Sequence, residues 1–177
     1  MTHRGQSACA PWVIAAEPPG AEAAAALWRA YYTEVSDRWY LLHEGRGTPR
    51  EELAREIAAN DGDGLLPPTG LLLVARYGGA PAGTAGVRLL DAATAELKRV
   101  FVRKELRGRG GGAALLAAAE EAARELGAGR LVLDTRHDLT EARALYARYG
   151  YRETPPHNTE PYADHWLAKD LRPPAAL

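Results

Sequence analysis

The sequence predicts an α+β domain, a mixed, mostly antiparallel sheet with helices on both faces. Three observations predict it. Strand-like runs at Gly70 to Tyr77, Pro81 to Leu90 and Leu97 to Val102 follow one another on short turns, which gives an antiparallel meander. The last run leads through a glycine turn into an alanine- and leucine-rich helix and on to a strand at Leu131 to Thr135. A strand–helix–strand unit of this kind is a parallel crossover. Helical patterns stand both before the meander and after the crossover.

Taken in order, Trp12 to Ala16 is short, apolar and closed by Pro18-Pro19, and reads as a first strand. Ala21 to Val35 reads as a helix with Leu27, Tyr31 and Val35 four apart on one face. Ser36 to Thr48 reads as a loop. Pro49 to Asn60 is a second helix, with proline at its start and Asn60-Asp61-Gly62 closing it. Gly64 to Thr69 connects to the meander. Leu71 to Ala75 is continuously apolar, so both faces of that strand are expected to be buried. Gly78-Gly79 is a hairpin signal, and Asp91 to Thr94 turns into the central strand.

The helix from about Arg109 to Leu126 shows Leu115, Ala119, Ala122 and Leu126 on one face. Glu120, Glu121, Arg124 and Glu125 fall on the other, and Gly127 ends it. Asp138 to Glu141 has capping-box spacing, with Asp138 in the place of the usual serine or threonine. The helix behind it runs to Tyr149 and stops at Gly150. Tyr151 to Thr154 is a short strand, Pro155 to Pro161 a loop, and Tyr162 to Lys169 a last edge strand. The expected organisation is a disordered tail at 1–10, one domain at 11–171 and a C-terminal tail at 172–177.

Composition narrows the function. A chain of 177 residues is long enough for one domain with a real core. A net charge of −1 favours neither nucleic acid nor an anionic membrane as partner. The single cysteine, Cys9, excludes an internal disulfide framework. No stretch is long and apolar enough to span a bilayer, and no secretory h-region stands near Arg4, so a cytoplasmic protein is expected.

The chemistry concentrates between Leu97 and Ala122. Strand, glycine turn and helix start in succession build an anion site, since glycines let backbone N–H groups approach closely and the helix N-terminus adds partial positive charge. Arg107 and Arg109 add formal charge beside it. A Walker loop needs Gly-Lys-Ser/Thr after its last glycine, but Gly112 is followed by Ala113 and Ala114. The dinucleotide fingerprint fits on paper as Gly108-x-Gly110-x-x-Ala113 with Asp134 further on. Its context is wrong: charged residues separate Val102 from Gly108, and too little chain remains for a doubly wound sheet. A nicotinamide oxidoreductase is thereby disfavoured.

The third pattern is Arg-x-x-Gly-x-Gly, met by Arg107, Gly110 and Gly112. With AELKRVFV upstream and ARALYARYGY (Ala142 to Tyr151) downstream, this segment resembles the GCN5-related N-acetyltransferases, the GNAT family. The resemblance is good from about Ala80 to Tyr151 and weaker outside. It implies the same α+β fold, with a splayed gap between the two strands that flank the acetyl group. It implies acetyl-CoA as acyl donor, held by Val100, Phe101 and Val102 along the pantetheine arm and by Arg107, Gly108, Arg109, Gly110, Gly111, Gly112 and Ala113 at the pyrophosphate. The implied acceptor is a primary amine, of a small molecule or a protein, in a monomer or homodimer.

Acetyl transfer needs a base for the amine, stabilisation of the carbonyl oxygen and an acid for the leaving thiolate. By the resemblance, Glu96 is the candidate base, acting directly or through water, and Tyr146 the candidate acid near the CoA sulfur. Read from the residues alone, Glu96 is a strand carboxylate pairing with Lys98 or Arg99, and Tyr146 belongs to a core stripe with Ala142, Leu145 and Tyr149. The oxyanion donor falls to the backbone N–H of Val100 or Phe101. Side-chain alternation leaves that choice open, because a bulge would invert it. Many relatives carry an asparagine seven residues before the tyrosine, where this chain has Leu139. The acceptor region is expected around Tyr31, Tyr32, Glu34, Arg38 and Tyr40. His157, Asp164 and His165 match no metal-ligand spacing. A non-catalytic acyl-CoA-binding or sensing module is the competing function.

Overall fold

The computed structural model describes residues 11–60, 62 and 64–171. The expected tails at 1–10, with Cys9, and at 172–177 lie outside the described residues. Among these, seven strands form one sheet in the order β1-β2-β3-β4-β5-β7-β6. β1 (Trp12–Glu17), β2 (Gly70–Tyr77), β3 (Ala80–Leu89) and β4 (Thr94–Val102) run antiparallel, each to the next. Tyr77 pairs with Ala80 across the Gly78-Gly79 turn, so the hairpin forms where the glycines place it. After a single 3₁₀ turn (Lys104–Leu106), α3 (Gly111–Glu125) crosses to β5 (Arg130–Thr135), which lies parallel to β4.

The sheet is covered on both faces. Leu73, Ala75, Val87, Leu97, Leu131 and Leu133 pack beneath α3 and beneath α4 (Thr140–Arg148), against Leu115, Leu116, Ala119 and Tyr146. On the other face Leu72, Val74 and Phe101 pack beneath α1 (Glu22–Glu44) against Ala24, Leu27 and Trp28. The alternation along β2 explains its unbroken apolar run, since Leu72 and Val74 serve one core and Leu73 and Ala75 the other. Leu27, Leu72, Leu115 and Leu131 are fully buried; each contributes about 1.5–3 kcal/mol relative to exposure.

Four expectations need correction. The helix expected to end at Val35 continues as α1 to Glu44, where Gly45 closes it in a left-handed conformation. Ser36 and Tyr40 are buried and Trp39 stacks on His43 at 4.5 Å, so packing carries the helix through a polar stretch of weak propensity. The C-terminal strand β7 (His165–Asp170) is not at the edge. It takes six paired positions on β5, and the two-residue β6 (Arg152–Glu153) pairs outside it. Asp138 does not cap α4. The cap residue is Leu139, and the Asp138 carboxylate instead accepts two hydrogen bonds from Arg136, at 2.9 and 2.8 Å. Glu120, expected on the solvent face of α3, is buried, where Tyr151 Oη donates to it at 3.2 Å and Lys169 Nζ at 2.8 Å.

Two irregularities shape the centre of the sheet. The register between β3 and β4 shifts between Thr84 and Gly86, and opposite the shift Arg99 has a φ of 54°. This is a β-bulge. Leu97 packs into the core under α3 whereas Phe101 packs into the core under α1, although residues four apart on a regular strand share a face. The second irregularity is that β4 and β5 pair only at Thr94 to Glu96 with Arg130 to Val132. Beyond those pairs the two strands part and leave a gap.

Candidate active site

The gap opens into a cleft of about 840 Å³. Its walls are the β4 segment Leu97 to Val102, the loop and first residues of α3, the inner face of α4, the second half of α1, α2 (Arg50–Ala59) and the loop before β7.

One end is built from backbone. Gly110 is the N-cap residue of α3, with φ 84°, and no side chain caps the helix. The first intrahelical bond runs from the Ala114 N–H to the Gly110 carbonyl, so the N–H groups before Ala114 face the cleft region without a helical acceptor. Nothing lies within 4 Å of where a Cβ on Gly110 would stand, so the cradle is open. At Gly112 a Cβ would stand 2.9 Å from Leu145, and glycine is what lets α4 close over the helix start. Such a set of N–H donors at a helix terminus suits a pyrophosphate.

The strand edge continues the cradle. Arg103 N–H bonds to Ala82 O. By the alternation of antiparallel pairs, Phe101 then bonds toward β3 and Val102 turns its polar groups to the gap, while Val100 lies in the bulge, where the alternation breaks. Of the two candidate oxyanion donors, Phe101 is the one paired with β3, opposite Thr84, and Val100 lies in the bulge. Arg107 does not stand free: Nε donates to Val102 O at 3.0 Å, and Nη2 lies 2.7 Å from the Glu34 carboxylate. Arg109 is not among the lining residues. It leans on Tyr77, and its carbonyl accepts from Trp12 Nε1 at 2.8 Å.

Tyr146 lines the cleft from α4 and is buried. Among the described residues its hydroxyl has no hydrogen-bond partner. Burial pushes its pKa well above the ordinary phenol value, with Tyr31 and Asp134 adding to the effect, so the group holds its proton. It packs edge-on to Tyr151 at 5.7 Å, within the core under α3 and α4.

Glu96 does not line the cleft. It is 2% exposed and ringed by Lys98 Nζ at 3.3 Å, Arg88 Nη2 at 3.4 Å and His157 Nε2 at 3.6 Å. The Nδ1 of that histidine is buried without a partner. Asn158, the next residue, donates to Asp134 at 2.7 Å, and Asp134 does line the cleft. The loop before β7 thus covers the carboxylate that the sequence places on the strand. His165 lies elsewhere, between His137 at 3.1 Å and Glu153 at 2.9 Å.

The expected acceptor residues, Tyr31, Tyr32, Glu34, Arg38 and Tyr40, all line the cleft, as does Leu139. Arg38 is tied to Glu141 at 2.9 Å. Burial raises Tyr31 to about 12. A hydrogen bond to Glu52 raises Tyr40, also to about 12. Sequence reasoning missed Glu52, Glu56, Asn60 and Arg99 from this wall. Glu56 is half-buried, and its carboxyl is held above the usual range, first by burial and then by Glu52. The i,i+4 pair of glutamates on a short helix looks like an ordinary solvated face, and no sequence signal separates it from one.

A sheet split between two parallel strands, with a glycine-started helix at the mouth of the split, is the arrangement of the acyl-CoA N-acyltransferase fold. The chain matches the model of the acetyltransferase (GNAT) family over residues 23–151 and belongs to that family. It is similar to an uncharacterized N-acetyltransferase of Schizosaccharomyces pombe, 35% identical over 97 residues. That match spans 54% of this chain and 60% of the yeast protein. Among solved structures it is similar in fold to the PaiA N-acetyltransferase of Thermoplasma acidophilum in complex with coenzyme A. The TM-score is 0.68 and the identity 15%, covering 90% of this chain and 99% of that one. It is also similar to a GNAT acetyltransferase of Elizabethkingia anophelis with acetyl-CoA bound. There the TM-score is 0.57 and the identity 20%, covering 90% and 97%. Among the described residues no helix is long and apolar enough to cross a membrane.

Proposed function

We propose that this protein is an acetyl-CoA-dependent N-acetyltransferase that moves the acetyl group directly to a primary amine of a small molecule. The observation that carries this reading is the gap between β4 and β5, with donors along one strand edge, an open helix start at one end and the Tyr146 hydroxyl beside it. The two solved relatives with coenzyme A or acetyl-CoA support the choice of donor.

In this reading the N–H groups from Gly110 to Ala113 hold the pyrophosphate, and the backbone groups of Val100 and Val102 align the pantetheine arm as an added strand. The Val100 N–H meets the negative charge that develops on the thioester oxygen. The acceptor nitrogen loses a proton to a base and bonds to the carbonyl carbon. As the carbon–sulfur bond breaks, Tyr146 gives its proton to the sulfur. Glu96 serves as base at one remove, through water or His157, since it does not reach the cleft itself. Glu56 is the second candidate base, favoured by its unpaired, cleft-lining carboxyl.

The test is thiol release from acetyl-CoA against a panel of primary amines, together with heat protection by acetyl-CoA and by NAD. Release with at least one amine, and protection by acetyl-CoA alone, are expected. Acetyl-CoA binding with no release from any amine would leave the binding-module reading instead. Protection by NAD alone would overturn both.

A further inference from the structure

Among the described residues five arginines line the cleft. Three are matched by carboxylates: Arg38 with Glu141 at 2.9 Å, Arg107 with Glu34 at 2.7 Å and Arg136 with Asp138 at 2.8 Å. Arg148 is exposed at the end of α4 and lies over the Tyr149 ring at 5.9 Å. Arg99 differs from all of these. It is half-buried, and among the described residues no carboxylate lies within salt-bridge distance of it. Its side-chain hydrogen bonds are to neutral groups, the amide oxygen of Asn60 at 3.5 Å and the Tyr32 hydroxyl, and among the described residues its buried Nη1 has no acceptor.

The position of this guanidinium is fixed from two sides. The bulge in β4 gives Arg99 a left-handed backbone that residues other than glycine rarely adopt, and so turns its side chain toward α1 and α2. There the guanidinium lies over the Trp28 ring at 4.4 Å and beside Tyr32, whose ring centre is 5.9 Å away. Stacking of this kind leaves the edge of the planar fork for hydrogen bonding. A cation held out of bulk water without a counter-charge is costly, and a ligand that supplies the charge removes that cost.

The same wall also holds a carboxyl that makes no ion pair among the described residues and feels Arg136 only at longer range. Glu56 is unpaired among the described residues, and it and Arg99 act in opposite senses on the Tyr32 hydroxyl. An acceptor with a single ammonium satisfies Glu56 and leaves Arg99 unmatched. An acceptor that carries both an amine and a carboxylate satisfies both.

We propose, building on the acetyltransferase reading above, that the acceptor is an amine that also bears a carboxylate, an amino-acid-like molecule, and that Arg99 is the residue that takes the carboxylate. The planar fork fits a planar carboxylate with two parallel N–H···O bonds. Tyr31, Tyr32, Trp39 and Tyr162 line the cleft around it and cover the body of the molecule. Arg99 is then a specificity-determining residue, with no part in moving the proton.

The test compares matched amines of equal chain length, propylamine with β-alanine and butylamine with γ-aminobutyrate, by kcat/KM for thiol release. The parent should favour the carboxylate-bearing member by about tenfold or more. Arg99→Gln should remove that preference while the plain amines change by no more than about twofold, and acetyl-CoA affinity should hold. Equal kcat/KM for the two members in the parent, or an equal loss for both in Arg99→Gln, would overturn the proposal and make Arg99 a strut between β4 and the helices. Should Arg99→Gln fail to fold, Arg99→Lys keeps the charge and loses the fork, and should still narrow the preference. If the parent acetylates no amine at all, the failure lies with the transferase reading. Arg99 is then judged by heat protection from β-alanine in the presence of coenzyme A. Protection that Arg99→Gln abolishes supports the proposal, and no protection overturns it.

Discussion

The two ends of the cleft are made of different material. The end assigned to the cofactor is backbone: strand edge, glycine turn and helix start, all within residues 100–113. The end assigned to the acceptor is side chain, brought together from α1, α2, the β4 bulge and the loop before β7. Backbone donors are fixed once the chain folds locally, and a helix start offers its N–H groups whatever residues follow. Side-chain constellations depend on which surfaces the whole fold sets face to face. The cofactor end can therefore stay constant across a family while the acceptor end varies with every substrate. Relatives under 25% identical still share the fold.

The comparison can be broken most sharply at Gly110. Gly110→Glu puts a side chain with a negative charge at a left-handed position inside the open cradle, where a phosphate should sit. Loss of acetyl-CoA binding by about 100-fold or more is expected from calorimetric titration, since the side chain fills the cradle and sets a like charge against the phosphate. Retained affinity would show that the cradle is not the phosphate site.

Tyr146→Phe tests the middle of the cleft. Removal of a general acid lowers turnover by about 10²–10⁴-fold. Because the hydroxyl has no partner among the described residues, folding stability and acetyl-CoA affinity should change little. An unchanged kcat would leave Tyr146 as a core aromatic only.

The base is the point where the two ends meet, and Glu96→Gln and Glu56→Gln compare them. If Glu96 acts at one remove, Glu96→Gln should lower turnover near neutrality by about 10²-fold and recover much of it at high pH, where more amine is already neutral. The same pattern in Glu56→Gln, with Glu96→Gln near parent activity, would move the base to α2. Stability separates them further. The Glu56 carboxyl is raised in the folded state, so its contribution is present at low pH and lost as pH rises through its folded value. Glu56→Gln should accordingly raise the melting temperature at pH 7 and change it less near pH 4. A lower melting temperature at pH 7 would mean that ionised Glu56 has a stabilising partner.

The smallest effect is expected where the two ends are tied together. Arg107→Lys keeps a charge near Glu34 but loses the hydrogen bond from Nε to Val102 O. A loss of about 1 kcal/mol in denaturant titration follows from a part-exposed pair and one hydrogen bond. A loss in acetyl-CoA affinity of tenfold or more would instead give Arg107 a direct part in phosphate binding.

The sequence by itself determined the order of the strands through the meander and the crossover, the glycine turn and the family. Each of these depends on residues close together in the chain: hydrophobic periodicity, glycines at positions that need them, a strand that runs into a helix. The family match reaches back to residue 23, well before the segment whose motifs are recognisable by eye. Only the tertiary structure decided the rest. Packing under Trp39 and Tyr40 extended α1 past a polar stretch to Glu44. Pairing along all of β5 took β7 into the sheet and left two residues of β6 at the edge. Arg136 claimed the carboxylate that local spacing offers as a helix cap, and the loop around His157 closed over Glu96. The bulge at Arg99 inverted the facing of the central strand. Apart from the local Arg136–Asp138 pair, the deciding contacts join residues far apart in the chain, whose free energy is realised only once both surfaces exist.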